Sequence, residues 1–510
     1  MPQLLAFSIR SLSHLALMVV LFSLCLGGCL SSNDPATATN AGRVTGSQAN
    51  LDSDLLTING CAPGDSPEPD IQGRVPLADR QSGRSQQGYQ CNLKRIGQFQ
   101  GEGTTWVNPS TSHCAYMATA FSGIGRKKLP GVQVVDVTTP TNPRFVKSLD
   151  SAAFTIGTWE SLKINEPRQL LAGVAVGPIV IGLFVDIYDI SGDCTQPKLL
   201  NGLAGPLTVP ANFLGHEGNF SPDGKTYWAT SSAGGSITAI NLDDPSKPRL
   251  AYIGNSILPN HGFSFNEAGT RMYLTLAAPG GVLILDVSDV QARKPVPIVR
   301  PVGQLLWTDG SISQHTIPIS FKGVPHLIVV DEFGTGATRI LNIADEGKPF
   351  IVSRLRLEIQ QAANADKRRE DLGNNGLFGY EAHYCEVDRT ADPQALACGY
   401  FQSGVRVFDI RDPLKPREIA YYNPPAQRAN KAILTGSEHA ASPAGFGPSL
   451  SDLQKLGFGI PTSANLSGDM STDWCSSPPR FVNDQLWVSC QDNGFMVLEF
   501  APGVYPFKTE

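Results

Sequence analysis

The chain has 510 residues, of which 17% are charged, with 51 Gly, 38 Pro and a formal net charge of −6. So mild an acidic balance, with no basic run, excludes nucleic acid and anionic lipid surfaces as partners attracted by charge. Abundant Gly and Pro with few charges suit many short strands joined by turns, and a length that ordinarily means two to four domains also suits a repeat fold.

At the N-terminus, Arg10 precedes an apolar run from Leu15 to Leu26 that is too short to span a bilayer permanently. Leu26-Gly27-Gly28-Cys29 follows and resembles the bacterial lipobox, in which small residues let a peptidase reach the bond before a lipidated cysteine. The resemblance implies a signal peptide over 1–29, lipidation of Cys29 and a membrane anchor of several acyl chains. Because Leu30 rather than Asp follows the cysteine, it also implies an outer-membrane lipoprotein of the cell envelope, facing the periplasm or the exterior. Residues 30–90 read as a flexible tether and N-terminal extension, with 30–60 rich in Ser, Thr, Asn and Ala.

One phrase then recurs. Gly131–Val137 (GVQVVDV) alternates apolar residues, ends near Asp136, and is followed by Pro140, Pro143 and a second strand from Arg144. It returns at Phe184–Ile190, Ser236–Leu242, Gly281–Val287, Thr338–Ile343, Gly404–Ile410 and Gly494–Phe500. Alternating β-branched and aromatic residues pack both faces of a strand, the terminal Asp or Asn bonds the following turn, and the prolines fix that turn outside the ladder. Upstream hairpins are marked by Pro222-Asp223-Gly224 and Glu267-Ala268-Gly269.

Seven repeats predict an all-β fold, a seven-bladed β-propeller with four-stranded blades over 91–501 and a tail over 502–510. Little chain follows residue 500, so Cys91–Phe99 is expected to close the ring as the outer strand of the last blade. A monomer is expected. Strands such as Leu327–Asp331 (LIVVD) and Gly131–Asp136 resemble those of the LVIVD-repeat propeller family over roughly residues 91–501. The family implies a bacterial exported propeller and says little about chemistry.

Five of the eight histidines, His113, His216, His261, His315 and His383, fall at the expected start of an innermost strand, where Glu160 stands in blade two and Trp474 in blade seven. All innermost strands of a propeller begin on one face beside the channel, so these imidazoles would ring one mouth and hold Fe, Cu or Zn. Glu160, Glu217 and Glu381 are candidates to orient the rings from a second shell. The arrangement resembles, in architecture alone, the axial histidines of carotenoid-cleaving oxygenases and of the selenium-binding-protein family. A histidine that merely braces its own blade, multiplied by duplication, would give the same pattern.

The longest insertions, 358–381 and 423–473, return to the same face, with helical segments expected at 363–372 and 450–456. Trp106, Trp159, Trp307 and Trp474 lie in or at the end of such connections and suggest an aromatic ligand cleft. Two functions follow as expectations: binding of a small ligand or protein partner at this mouth, or a metal-dependent oxidoreductase or oxygenase acting on an apolar substrate. Eight cysteines follow Cys29, and an even number in an exported chain argues for disulfides. The register pairs Cys385 with Cys398 and Cys475 with Cys490; Cys61–Cys91 is a candidate that leaves Cys114 and Cys194 by elimination. No Gly-x-Ser-x-Gly, Walker-type, dinucleotide or His-Glu-x-x-His motif occurs.

Overall fold

Each repeated phrase forms the third strand of a four-stranded antiparallel blade. In the first, Val132–Asp136 pairs with Cys114–Met117 on one side and Arg144–Leu149 on the other. The residue that ends the phrase does what its side chain suggests: it accepts a hydrogen bond from the main-chain N–H two residues on. Asp136 takes Thr138, Asp189 takes Ser191, Asn241 takes Asp243 and Asp286 takes Ser288, at 2.7–2.9 Å. Asn342 and Asp409 repeat the bond to Ala344 and Arg411 at 3.0 and 3.1 Å. An oxygen two residues before an N–H reproduces a backbone turn, so a single residue sets the corner in six of the seven blades.

The structure, a computed structural model, describes residues 60–120, 127–176, 182–201, 216–231, 235–334, 337–371, 378–441 and 469–507, with backbone alone for 52–54, 182–184 and 334. All belong to one compact unit. Seven sheets make a seven-bladed β-propeller. Their innermost strands are Ser110–Thr111, Lys163–Asn165, Glu217–Phe220, Asn260–Phe265, Gly310–Phe321, Ala382–Val387 and Arg480–Val482. Leu93–Phe99 pairs antiparallel with Gly494–Phe500, Leu93 opposite Phe500 and Phe99 opposite Phe495, and so completes the last blade. Between blades the two facing sheets bury one apolar layer each: Val134, Leu149, Leu171 and Tyr188 meet between the first and second.

Residues 60–90 are more than a tether. Tyr89–Cys91 adds a fifth strand to blade six against Arg417–Asn423, and Asp52–Asp54 adds one, in parallel, to blade five. Buried arginines draw the segment onto the ring. Arg74 pairs with Asp371 of the 358–381 insertion at 2.8 Å, and Arg80, 2% exposed, donates to the Val75 and Asp371 carbonyls and to Tyr380. Arg406 lies between Glu68 and Glu418. A buried guanidinium must find acceptors for its five donors, and here they come from segments hundreds of residues apart. The helix expected at 363–372 appears as Ala365–Asp371; the one at 450–456, like Cys29 and the leader, lies outside the described residues. No helix among the described residues is long and apolar enough to cross a membrane.

All eight cysteines that follow Cys29 are paired: Cys61–Cys91, Cys114–Cys194, Cys385–Cys398 and Cys475–Cys490. Four such bonds mark an oxidising, exported environment. Cys114–Cys194 spans 80 residues and Cys385–Cys398 only 13. Loop-closure entropy therefore ranks them at about 4.5 against about 3 kcal/mol. Replacing the Cys114–Cys194 pair by alanines is expected to lower the denaturant midpoint more than replacing Cys385–Cys398; equal midpoints would show that strain or residual structure dominates.

Candidate functional site

The innermost strands do not run straight into the channel mouth. Three of them carry a β-bulge there: between Asn260 and Phe263, between Ser313 and His315, and between Ala382 and Cys385. A bulge leaves residues out of the ladder and re-aims their side chains. In blades four and six the freed residues include His261 and His383. In blade five the freed residue is Gln314, while His315 is already paired opposite Val330. This one-residue offset decides which side chain meets the axis.

What converges there is a carboxylate with imidazoles around it. Glu160 Oε2 lies 3.0 Å from His216 Nε2 and 3.4 Å from His261 Nε2. Its Oε1 lies 2.8 Å from His383 Nε2 and accepts a 2.8 Å hydrogen bond from Gln314 Nε2. Glu160, His261 and His383 are 2%, 2% and 0% exposed at their side chains, and His216 15%, so the site opens on the His216 side. The rings are oriented by main-chain carbonyls: His261 Nδ1 is 3.1 Å from Gln314 O, and His383 Nδ1 is 2.6 Å from Ser476 O. A carbonyl only accepts, so each Nδ1 carries the proton and each neutral ring turns a bare Nε2 lone pair toward Glu160. Burial keeps His261 neutral, pushing it down to about 3. Burial works to push the Glu160 carboxyl up, but the neighbouring imidazoles, with the hydrogen bond from His216, outweigh it and hold it well below the usual carboxylate range. Lone pairs facing an anion in a dry site repel unless a cation stands between them.

Glu332 completes the rim. Its Oε1 is 3.6 Å from His383 Nε2, and burial together with the charges of Glu160, Glu381 and Glu217 pushes its carboxyl well above the ordinary value. Deeper in the channel, Glu217 is held by Lys163 at 3.1 Å and by the Tyr384 hydroxyl, so it balances a lysine rather than orienting a histidine. Glu381 accepts the Gly379 N–H at 2.7 Å, and burial pushes it up to about 7.

No protein-family model matches the chain, and no curated protein matches it. Among solved structures, a candidate 6-phosphogluconolactonase from Bacteroides fragilis aligns over 62% of this chain and 83% of its own, at 12% identity and a TM-score of 0.43. One from Bacteroides uniformis aligns over 61% and 82%, at 11% identity and 0.44. The computationally designed protein Ika8 aligns over 80% and 100%, at 7% identity and 0.41.

Of the residues singled out in the sequence, Glu160, His216, His261 and His383 come together, with Glu160 at the centre rather than in a second shell. His113 does not join them. It sits in the turn between the first two strands of blade one, on the side of Asp136 and hence at the opposite face, where Cys114 opposes Asp136 and the His113 ring lies 3.7 Å from Cys194 Sγ. Trp106, not His113, occupies the mouth in that blade, 5.4 Å from the His383 ring. His315 is at the correct end but turns inward, stacked on Tyr384 at 4.5 Å with Nε2 3.2 Å from the Cys385 carbonyl.

Trp106, Trp159 and Trp474 form one aromatic wall with Phe378 and Phe401. Trp307 is elsewhere: it donates to the Asp331 carboxylate at 3.0 Å under the Arg339 guanidinium, between blades four and five. Sequence reasoning missed Gln314 and Glu332. Gln314 adjoins a singled-out histidine and Glu332 follows a repeat aspartate, but only the bulges and the ring place them. His439, outside the repeat register, is a buttress: it stacks on Trp474 at 4.2 Å and its Nδ1 meets Asp492 Oδ2 at 2.7 Å.

His315 supplies a pH test. Burial first, and the Lys163 charge second, push its pKa down to about 3, below an unfolded value near 6.5. The unfolded chain therefore binds the extra proton, and this contribution is fully present above pH 6.5 and lost as pH falls toward 3. From pH 6.5 to 4 the loss is about 3 kcal/mol. His315→Gln is expected to flatten that acid limb of stability in denaturant titrations; an unchanged slope would contradict a neutral, buried ring.

Proposed function

We propose that this chain is an exported, lipid-anchored propeller of the LVIVD-repeat type whose channel mouth binds a small apolar or aromatic ligand beside a histidine-held metal. The observation that carries the reading is the locked His261 ring: its proton is committed to a carbonyl, and its bare Nε2 faces the ionised Glu160 carboxylate beside His216. Iron, copper and zinc all accept imidazole nitrogen with one carboxylate. The wall of Trp106, Trp159 and Phe378 supplies an apolar, water-poor surface next to that centre. A metal with an open position there would polarise the ligand or activate oxygen or water, which makes an oxidoreductase or oxygenase the enzymatic form of this proposal. Cys29 would carry the anchor, with the propeller at the outer membrane on a tether.

The exported protein, purified without chelators, is expected to contain Fe, Cu or Zn that His216→Ala with His261→Ala removes. A metal-free protein whose melting temperature ignores added Fe, Cu and Zn would end the proposal. Cys29→Ser is separately expected to release the protein from the membrane fraction into the soluble one.

A further inference from the structure

We infer that Glu160 is built to bridge two metal ions, one on each of its carboxylate oxygens; this rests on the proposed metal-bound mouth and specifies its nuclearity. The donors divide into two triads that share only Glu160. His216 and His261 address Oε2, and His383 addresses Oε1 with Glu332 beside it. Within each triad the ligand atoms lie within 4.8 Å of one another.

The spacings leave room for an ion within each triad. In a four-coordinate centre with bonds of about 2.0–2.1 Å, neighbouring donors stand about 3.3 Å apart. The first triad gives 3.0 and 3.4 Å from Glu160, and the second gives 2.8 Å from Glu160 to His383 and 3.6 Å from His383 to Glu332. Carboxylate-bridged pairs of ions stand roughly 3.5–4 Å apart, which a single carboxyl group spans with its two oxygens.

Charge and satisfaction point the same way. Among the described residues, no lysine or arginine forms an ion pair with Glu160 or Glu332; the lysine in the channel, Lys163, is committed to Glu217. Among the described residues, Glu332 forms its one ion pair with His383. Gln314 donates from Nε2 to Glu160, and that nitrogen lies 3.0 Å from His383 Nε2, while the amide Oε1 is buried with no hydrogen-bond partner among the described residues. Half a turn of that amide would present an oxygen donor to the second ion. Two divalent ions exceed the charge of Glu160, Glu332 and Glu381, so the ligand that completes the centre would be an anionic oxygen donor, such as hydroxide or a carboxylate.

Chelator-stripped full-length protein is titrated with Zn2+ by equilibrium dialysis, and separately loaded with Mn2+ for paramagnetic resonance. Two Zn2+ per chain are expected, falling to one in Glu332→Gln and in His383→Ala, with affinity for the remaining ion changed less than threefold. The Mn2+ spectrum is expected to be exchange-coupled in the native protein and a simple six-line signal in Glu332→Gln. One ion per chain with an uncoupled spectrum in the native protein would overturn the bridge and leave the single-metal centre standing. No bound ion would overturn both. Two ions that Glu332→Gln leaves in place, in a protein of native melting temperature, would remove Glu332 from the second position and overturn this assignment.

Discussion

A chain shortened to begin at residue 100 is expected to lose its cooperative unfolding transition and to self-associate. The deletion removes Leu93–Phe99, the outer strand of blade seven, and leaves the whole of Gly494–Phe500 as a bare edge. Leu93 is 1% exposed and packs with Val405, Leu486 and Phe500, while Ile96 and Phe99 cover the layer of Val135, Trp487 and Phe495. It also removes Cys61–Cys91, the fifth strand of blade six and the Glu68 partner of buried Arg406. An unpaired, apolar strand edge is a template for another copy. Size-exclusion chromatography and a melting curve check this, and a peptide of residues 60–99 added in trans should restore part of the transition. A monomer that melts cooperatively at the native temperature would show that the ring holds without its clasp.

The second large effect is expected at Asp331, the aspartate of Leu327–Asp331. Its side chain is fully buried, accepts from Trp307 Nε1 at 3.0 Å and Ser313 Oγ at 2.8 Å, and pairs with the equally buried Arg339. In Asp331→Ala, Arg339 loses its buried carboxylate and is left with the partly exposed Asp309 at 2.9 Å as its ion-pair partner among the described residues, and the indole N–H and the hydroxyl lose their acceptor. Breaking one side of a buried ion pair costs about 3–5 kcal/mol, because the remaining charge stays desolvated. Adding Arg339→Met should recover much of the loss, since no charge is then stranded. Chemical denaturation of the two variants tests it: equal stability of the single and the double variant would mean that the hydrogen bonds, not the charge, carry the cost.

The repeat made the ring legible. Period-two strands recur seven times, six of them ending in Asp or Asn before proline and the last in Glu499, and the shortage of chain after Phe500 called for a strand from before the first repeat. The site was legible only in part, because its register depends on features that leave little local trace. Bulges put Gln314 on the axis and turned His315 away, although both share one strand. The short inner strand Ser110–Thr111 put His113 at the far end of its blade, a shift of a few residues that the alternation of Cys114–Met117 does not reveal. Trp307 reads like the other mouth tryptophans until its partner is seen: Arg339 and Asp331 belong to the next blade, and no pattern within one repeat announces them. The docking of 60–90 was hidden for a related reason, since its anchors Asp371, Tyr380, Gln402 and Glu418 lie far along the chain.

The pairing of Leu93–Phe99 with Gly494–Phe500 also governs when the molecule can mature. A chain delivered from its N-terminus presents the first of these strands early, yet that strand must wait roughly 400 residues for its mate. Contacts so remote in sequence form late and slowly. During that wait six blades can condense while the seventh gapes, so the interval between emergence and closure is when the protein is most exposed to proteolysis and to its own neighbours.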